Sequence, residues 1–218
     1  MILHLVTDRR RLCASADERA RQTCLLEQAR HAVDAGIDVI QLRERDMEAG
    51  PLAALASDLV AIARGSATRV VINERLDIAL AVGADGVHLR GDSFAADRVR
   101  SCVPSGFLVG RSIHSLAELQ NAGPVDYVIA GTVWETPSKP GRHDLLGVEG
   151  LSAIVSASRV PVVAIGGIDA SRVPALARSG TAGLAGIGIF QGRESACRAI
   201  ALRETAEVLQ KAFSAGKM

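Results

Sequence analysis

The chain has 218 residues, of which 48% are hydrophobic and only 3% aromatic, with 25 Lys plus Arg against 24 Asp plus Glu for a net charge of +1. That length suits one large domain or two small ones, and an aliphatic core suits parallel sheet covered by helices. The even charge excludes the global basic footprint of a nucleic-acid or anionic-membrane binder, so any anion site must be local. No signal-peptide pattern or 18-residue uncharged apolar run is present, and the cysteines at 13, 24, 102 and 197 lack CxxC or Cys/His spacing. These features predict a cytoplasmic chain with free thiols and no membrane partner.

Short, mostly β-branched runs recur roughly every 20 to 30 residues. In chain order they are ILHLVT (2–7), IDVIQLR (37–43), RVVIN (69–73), GVHL (86–89), FLVGRS (107–112), DYVIAG (126–131), PVVAIG (161–166) and AGLAGIGI (182–189). Segments with helical spacing alternate with them, at 17–35, 51–64, 75–82, 94–101, 115–121, 148–157, 170–179 and 194–213. Several end at a glycine suited to cap a helix, as in DAGIDVI, AVGADGV and RSGTAGL. Eight alternations without a linker predict an α/β fold, a single (βα)8 TIM barrel over residues 1–218, with a doubly wound open sheet as the alternative.

Either architecture places its active site where strands end and helices begin. Gln41, Arg43 and Arg45 have the alternate spacing that aims side chains one way along a strand, and arginine suits phosphate or carboxylate. The competing reading pairs Arg43 and Arg45 with Glu44, Asp46 or Glu48 at the rim. After the fifth strand come Ser112 and His114, and Ser115 with Glu118 forms a capping box. The cap explains Ser115 but leaves His114 as the candidate acid/base. His4 and His88 within strands, His31 on a helix and His143 in a loop are weaker candidates.

The long loop GTVWETPSKPGRHDLLG offers Thr136, Ser138 and Lys139 as a substrate lid, or is simply a solvated connection. The glycines of AIGGID and GLAGIGIF, including Gly166, Gly167 and Gly188, let backbone N–H groups close on a phosphate. Asn73 and Glu74 after the third strand, with Asp92 and Ser93 after the fourth, raise the question of a metal.

Taken in order, LVTDR, QLRER, INERLDIALAVGADGVHL, GRSIHSL, DYVIAGTVWETPSK, LGVEGL, PVVAIGGI and GIGIF resemble the thiamine phosphate synthase and TenI superfamily over roughly residues 3 to 190. The resemblance implies a (βα)8 barrel in thiamine biosynthesis. It implies diphosphate and pyrimidine contacts at Gln41, Arg43, Arg45, Asn73, Ser112 and Lys139, and thiazole phosphate contacts at Thr136, Ser138, Gly167, Ile187 and Gly188. Synthases carry Asp where this chain has Glu74 and Ser93. Mg²⁺ demands close octahedral oxygens, so Glu74 and Asp92 are weak metal candidates.

Those departures, with GRSIHSL, point to the tautomerase branch: an isomerase that aromatises a thiazole carboxylate phosphate with His114 as acid/base and no cofactor. The alternatives are a thiamine-phosphate synthase using Mg²⁺, and a noncatalytic barrel that binds a thiazole or thiamine phosphate. The expected partner is a small phosphorylated thiazole, and a homo-oligomer is left open.

Overall fold

The computed structural model describes residues 1–136, 144–191 and 198–217. Its strands are β1 (Ile2–Val6), β2 (Val39–Leu42), β3 (Arg69–Asn73), β4 (Gly86–Leu89), β5 (Leu108–Ile113), β6 (Tyr127–Gly131), β7 (Val162–Ile165) and β8 (Gly183–Gly186). All pair in parallel with their sequence neighbours, and β1 also pairs with β8 from Ile2↔Gly183 to Leu5↔Gly186. That last ladder closes a (βα)8 barrel and eliminates the open sheet.

Alternation along each strand separates two interiors. Leu3, Leu5, Ile40, Leu42, Val70, Ile72, Val87 and Leu89 face outward into a continuous layer beneath the helices. Inside the barrel, Val6, Tyr127, Ile129, Val163 and Ala185 form a smaller cluster. Tyr127 needs room there, and a Cβ on Gly110 would lie 2.1 Å from its ring carbon Cζ. The glycine in β5 is therefore where the barrel admits its largest interior ring.

The outer layer is covered by α1 (Arg9–Leu12), α2 (Glu18–Asp34), α3 (Ala49–Ala63), α4 (Leu76–Ala81), α5 (Ala96–Arg100), α6 (Leu116–Gln120), α7 (Gly147–Ala157), α8 (Val173–Arg178) and α9 (Arg198–Gly216). On α3, Leu52, Leu55, Ala56, Leu59 and Ala63 are buried, which is the stripe that 3.6-residue periodicity requires. Each buried leucine contributes roughly 1.5–3 kcal/mol of transfer free energy. Gly36, Gly83 and Gly180 adopt positive φ after α2, α4 and α8, as the three predicted caps require.

Two short elements were not expected from the sequence. Helix α1 is one turn long, too short to show periodicity, and is held by Asp8, whose side chain accepts from the Arg11 N–H. The predicted eighth strand ends at Gly186, and Gly188–Phe190 forms a 3₁₀ turn tied to α2 by the Gln28 side-chain N–H, which donates to the Phe190 carbonyl at 3.1 Å. The predicted start of the last helix at 194 lies outside the described residues. Among the described residues no helix is long and apolar enough to cross a membrane.

Candidate active site

A cavity of about 1200 Å³ opens at the carboxyl ends of the strands, where the barrel's helices begin. It is lined by Gln41, Arg43, Arg45, Asn73, Ser112, His114 and Thr136, and by the glycine turns Gly166, Gly167, Ile187 and Gly188. Eleven of the sequence candidates thus converge from six strand ends, while Ser138 and Lys139 lie outside the described residues.

Beneath the cavity lies a polar network that sequence reasoning missed. The buried His4 Nε2–H donates to Gln41 Oε1 at 3.0 Å, and the Gln41 amide donates onward to Asn73 Oδ1 at 3.1 Å. Across the barrel, His88 Nε2 meets Ser112 Oγ at 2.8 Å and His88 Nδ1 meets the Tyr127 hydroxyl at 3.2 Å. Burial lowers the His4 pKa to about 4 and pushes His88 well below its ordinary value, so both rings are neutral at neutral pH. A neutral His88 carries one ring proton, so one of its two hydroxyl partners donates and the other accepts. The missed signal was parity: in a barrel the inward positions of β1 and β4 are those of His4 and His88, and a polar residue there must find partners.

Arg43 and Arg45 bring two cations to the rim at the end of β2. The competing reading paired Arg43 and Arg45 with Glu44, Asp46 or Glu48, but Glu44 is bound by Arg9, and Asp46 by Arg9 and Arg10. The Arg9 Nη1 donates to Glu44 Oε2 at 2.9 Å and to Asp46 Oδ1 at 2.7 Å, and Nη2 donates to Asp46 Oδ2 at 2.7 Å. Glu44 also accepts from the Thr7 hydroxyl at 2.7 Å, and Arg9 further pairs with Glu18. Hydrogen bonds from Arg9 hold Asp46 at a pKa of about 2. Burial raises that of Glu44. Among the described residues neither the Arg43 nor the Arg45 guanidinium forms a hydrogen bond or ion pair. Arg43 is half-buried, and desolvation followed by the charge of Arg45 disfavours its cation. Two such neighbouring guanidinium groups are chemically suited to an anion.

On the opposite wall, Gly166 and Gly167 adopt φ of 104° and 64°. A Cβ on Gly167 would lie 2.5 Å from the Glu135 carbonyl oxygen and 2.7 Å from that of Trp134, so only glycine fits. Arg172, also missed from sequence, lines this wall, donates to the Gly167 carbonyl and packs over the Trp134 ring.

His114 occupies the rim rather than the network. Its backbone N–H donates to Glu118 Oε2 at 2.8 Å, its Nδ1 is 3.7 Å from the same oxygen, and that nitrogen forms no hydrogen bond among the described residues. The Ser115 hydroxyl accepts from the Glu118 N–H at 3.1 Å, so the predicted cap forms, but Glu118 reaches back to His114 instead of Ser115.

The resemblance implies Mg²⁺ for a synthase, and the residues present fit it poorly. Glu74, at φ 65°, does not line the cavity, and its Oε1 accepts from the Arg90 backbone N–H at 2.6 Å. Asp92 does line it but is ion-paired to the Arg90 guanidinium. Ser93 is neutral, and its buried Oγ has no hydrogen-bond partner among the described residues. Among those residues no group of three His, Cys, Asp or Glu side chains is placed to hold a metal.

Comparison with known proteins bears on the chemistry. The thiamine-phosphate synthase of Roseiflexus castenholzii is 34% identical over 204 residues, covering 91% of this chain and 86% of its own. That of Azorhizobium caulinodans is 38% identical over 185 residues, 84% of each chain. A thiamine phosphate pyrophosphorylase from Pyrococcus furiosus superposes with a TM-score of 0.80 at 29% identity, covering 99% of this chain and 96% of that one. These relatives are named as synthases and a pyrophosphorylase, which overturns the expectation of a thiazole tautomerase and of an isomerase. The profile of the family described as thiamine monophosphate synthase matches residues 12–190, and this chain belongs to that family.

Proposed function

We propose that the chain is a thiamine-phosphate synthase, joining a hydroxymethylpyrimidine diphosphate to a thiazole phosphate with release of diphosphate. The observation that carries this reading is the pairing of two unlike anion sites across one cavity. Among the described residues Arg43 and Arg45 stand unpaired at the end of β2, and the glycine turns Gly166–Gly167 and Ile187–Gly188 lie beyond β7 and β8. A tautomerase acting on a thiazole carboxylate phosphate has one phosphate for the second site and a single carboxylate for the first, which one guanidinium would match. A transfer that expels diphosphate must also neutralise a departing polyanion, which takes the electron pair of the broken C–O bond.

In this reading Arg43 and Arg45 hold the diphosphate, with Lys139 as a further contact. Gln41, Asn73 and Ser112 orient the pyrimidine through their hydrogen-bonding edges, two of which are fixed from below by His4 and His88. Backbone N–H groups at Gly167, Ile187 and Gly188, with Gly166 shaping the turn and Thr136 and Ser138 at the loop, receive the thiazole phosphate. Holding both reactants in one cavity supplies the orientation that makes the transfer effectively unimolecular. His114 has no proton to move in this transfer. The carboxylates at the metal positions do not fit Mg²⁺, and no step is assigned to it. The enzyme acts as a single domain in the cytoplasm on small phosphorylated substrates, without nucleic acid or membrane partners.

Incubation with both substrates, with and without Mg²⁺, should yield thiamine phosphate and diphosphate in equal amounts. Replacement His114→Gln should change the rate by less than about tenfold, below the roughly 10² to 10⁴ that a general acid/base supplies. A folded protein that forms no thiamine phosphate under either condition would overturn the reading.

A further inference from the structure

Arg90 stands where β4 ends and is committed to both candidate metal carboxylates, Glu74 and Asp92. Its backbone N–H donates to Glu74 Oε1 at 2.6 Å, and its guanidinium pairs with Asp92. Those two carboxylates are thus occupied by one residue, and Ser93 beside them carries no charge. Arg90 also lines the cavity together with Arg43 and Arg45, and the charges of both Arg45 and Arg90 act unfavourably on Arg43. The carboxylates that face Arg43 are Asp8 and Glu44. Glu44 is bound by Arg9, and Asp8 accepts from the Arg11 N–H at 3.1 Å as the cap of α1. This corner of the cavity therefore presents three guanidinium groups against carboxylates that already have other partners.

We propose that Arg90 joins Arg43 and Arg45 in a guanidinium cluster that binds the diphosphate directly, so that side-chain cations stand where a carboxylate-held metal would otherwise neutralise it. The inference rests on the synthase reading and adds a residue and a mode of charge neutralisation to it. Diphosphate suits the cluster because its oxygens accept paired N–H bonds from planar forks. The Arg90–Asp92 pair can be exchanged for that ligand because it is surface-exposed, with 47% of the arginine and 70% of the aspartate side chain open to solvent. An ion pair in that setting is held weakly.

The test is calorimetric titration of inorganic diphosphate into the folded protein in EDTA. Saturable binding is expected, weakened about tenfold or more by Arg90→Gln, and tightened severalfold by Asp92→Asn, which removes the competing carboxylate while keeping its shape. Both sites are exposed, and circular dichroism checks that each variant is folded. Binding that appears only when Mg²⁺ is added, or that is unchanged in Arg90→Gln, would overturn the proposal. The product assay separates the two claims. Thiamine phosphate formation with Arg90-independent diphosphate binding defeats this inference alone, whereas Arg90-dependent binding without product defeats the synthase reading alone.

Discussion

Acid should unfold this barrel from within, and His4 gives the size of the effect. The ring is fully buried, and its pKa falls from 6.5 to about 4 because burial strips water from the imidazolium, with the Gln41 hydrogen bond opposing only in part. The unfolded chain takes up the proton near pH 6.5, whereas the folded chain refuses it until about pH 4, so stability is intact above 6.5 and is lost as pH falls through that window. Each pH unit inside the window is worth about 1.4 kcal/mol. Moving from about pH 7.5 to about pH 5 should therefore remove about 2 kcal/mol through His4 alone. His88, shifted in the same direction by the same cause, adds to the loss.

Replacement His4→Gln removes the titrating group and keeps an amide N–H that can donate to Gln41. Urea unfolding of the wild type and the variant at both pH values, compared at constant m, isolates the His4 share. The variant should start less stable but lose about 2 kcal/mol less on acidification. Equal losses in the two proteins would refute the buried neutral imidazole and, with it, the fixed donor beneath Gln41.

Replacing Glu44 with Gln should cost about 3 kcal/mol in urea unfolding, because an uncharged amide would face Arg9 donors inside the fold. Both side chains of that pair are only 3% exposed, while Asp46 retains its own grip on Arg9 and keeps the loss finite. The glycine turns should respond unequally. Gly167→Ala forces a left-handed residue against the Glu135 and Trp134 carbonyls and should lower both thermal stability and affinity for inorganic phosphate, the stability by roughly 2 kcal/mol. At Gly188 an added Cβ meets only the Arg11 Nη2 at 3.4 Å, so Gly188→Ala should fold within about 0.5 kcal/mol of wild type.

The sequence by itself determined the rhythm of the fold. Apolar runs at β1 to β8 must be strands with helices between them because only that alternation buries both kinds of stripe, and Gly36, Gly83 and Gly180 mark helix ends because left-handed backbone disfavours other residues. It also placed Gln41, Arg43, Asn73, Ser112 and the glycine turns at strand ends, hence in one cavity. Closure of β1 onto β8 lay beyond it, since a ladder between residues about 180 apart leaves no local pattern.

Tertiary structure alone decided how the charges are shared. Arg9 takes Glu44 and Asp46 from across the β1–β2 seam, although neighbours in sequence suggested Arg43 and Arg45, and the Arg90 N–H takes Glu74 from the end of β3. Strand parity hinted at the inward placement of His4 and His88, but their partners Gln41, Ser112 and Tyr127 come from other strands and are set by the closed barrel. Electrostatic partners are chosen by distance through space, and the closed barrel brings together strand ends that the chain keeps far apart.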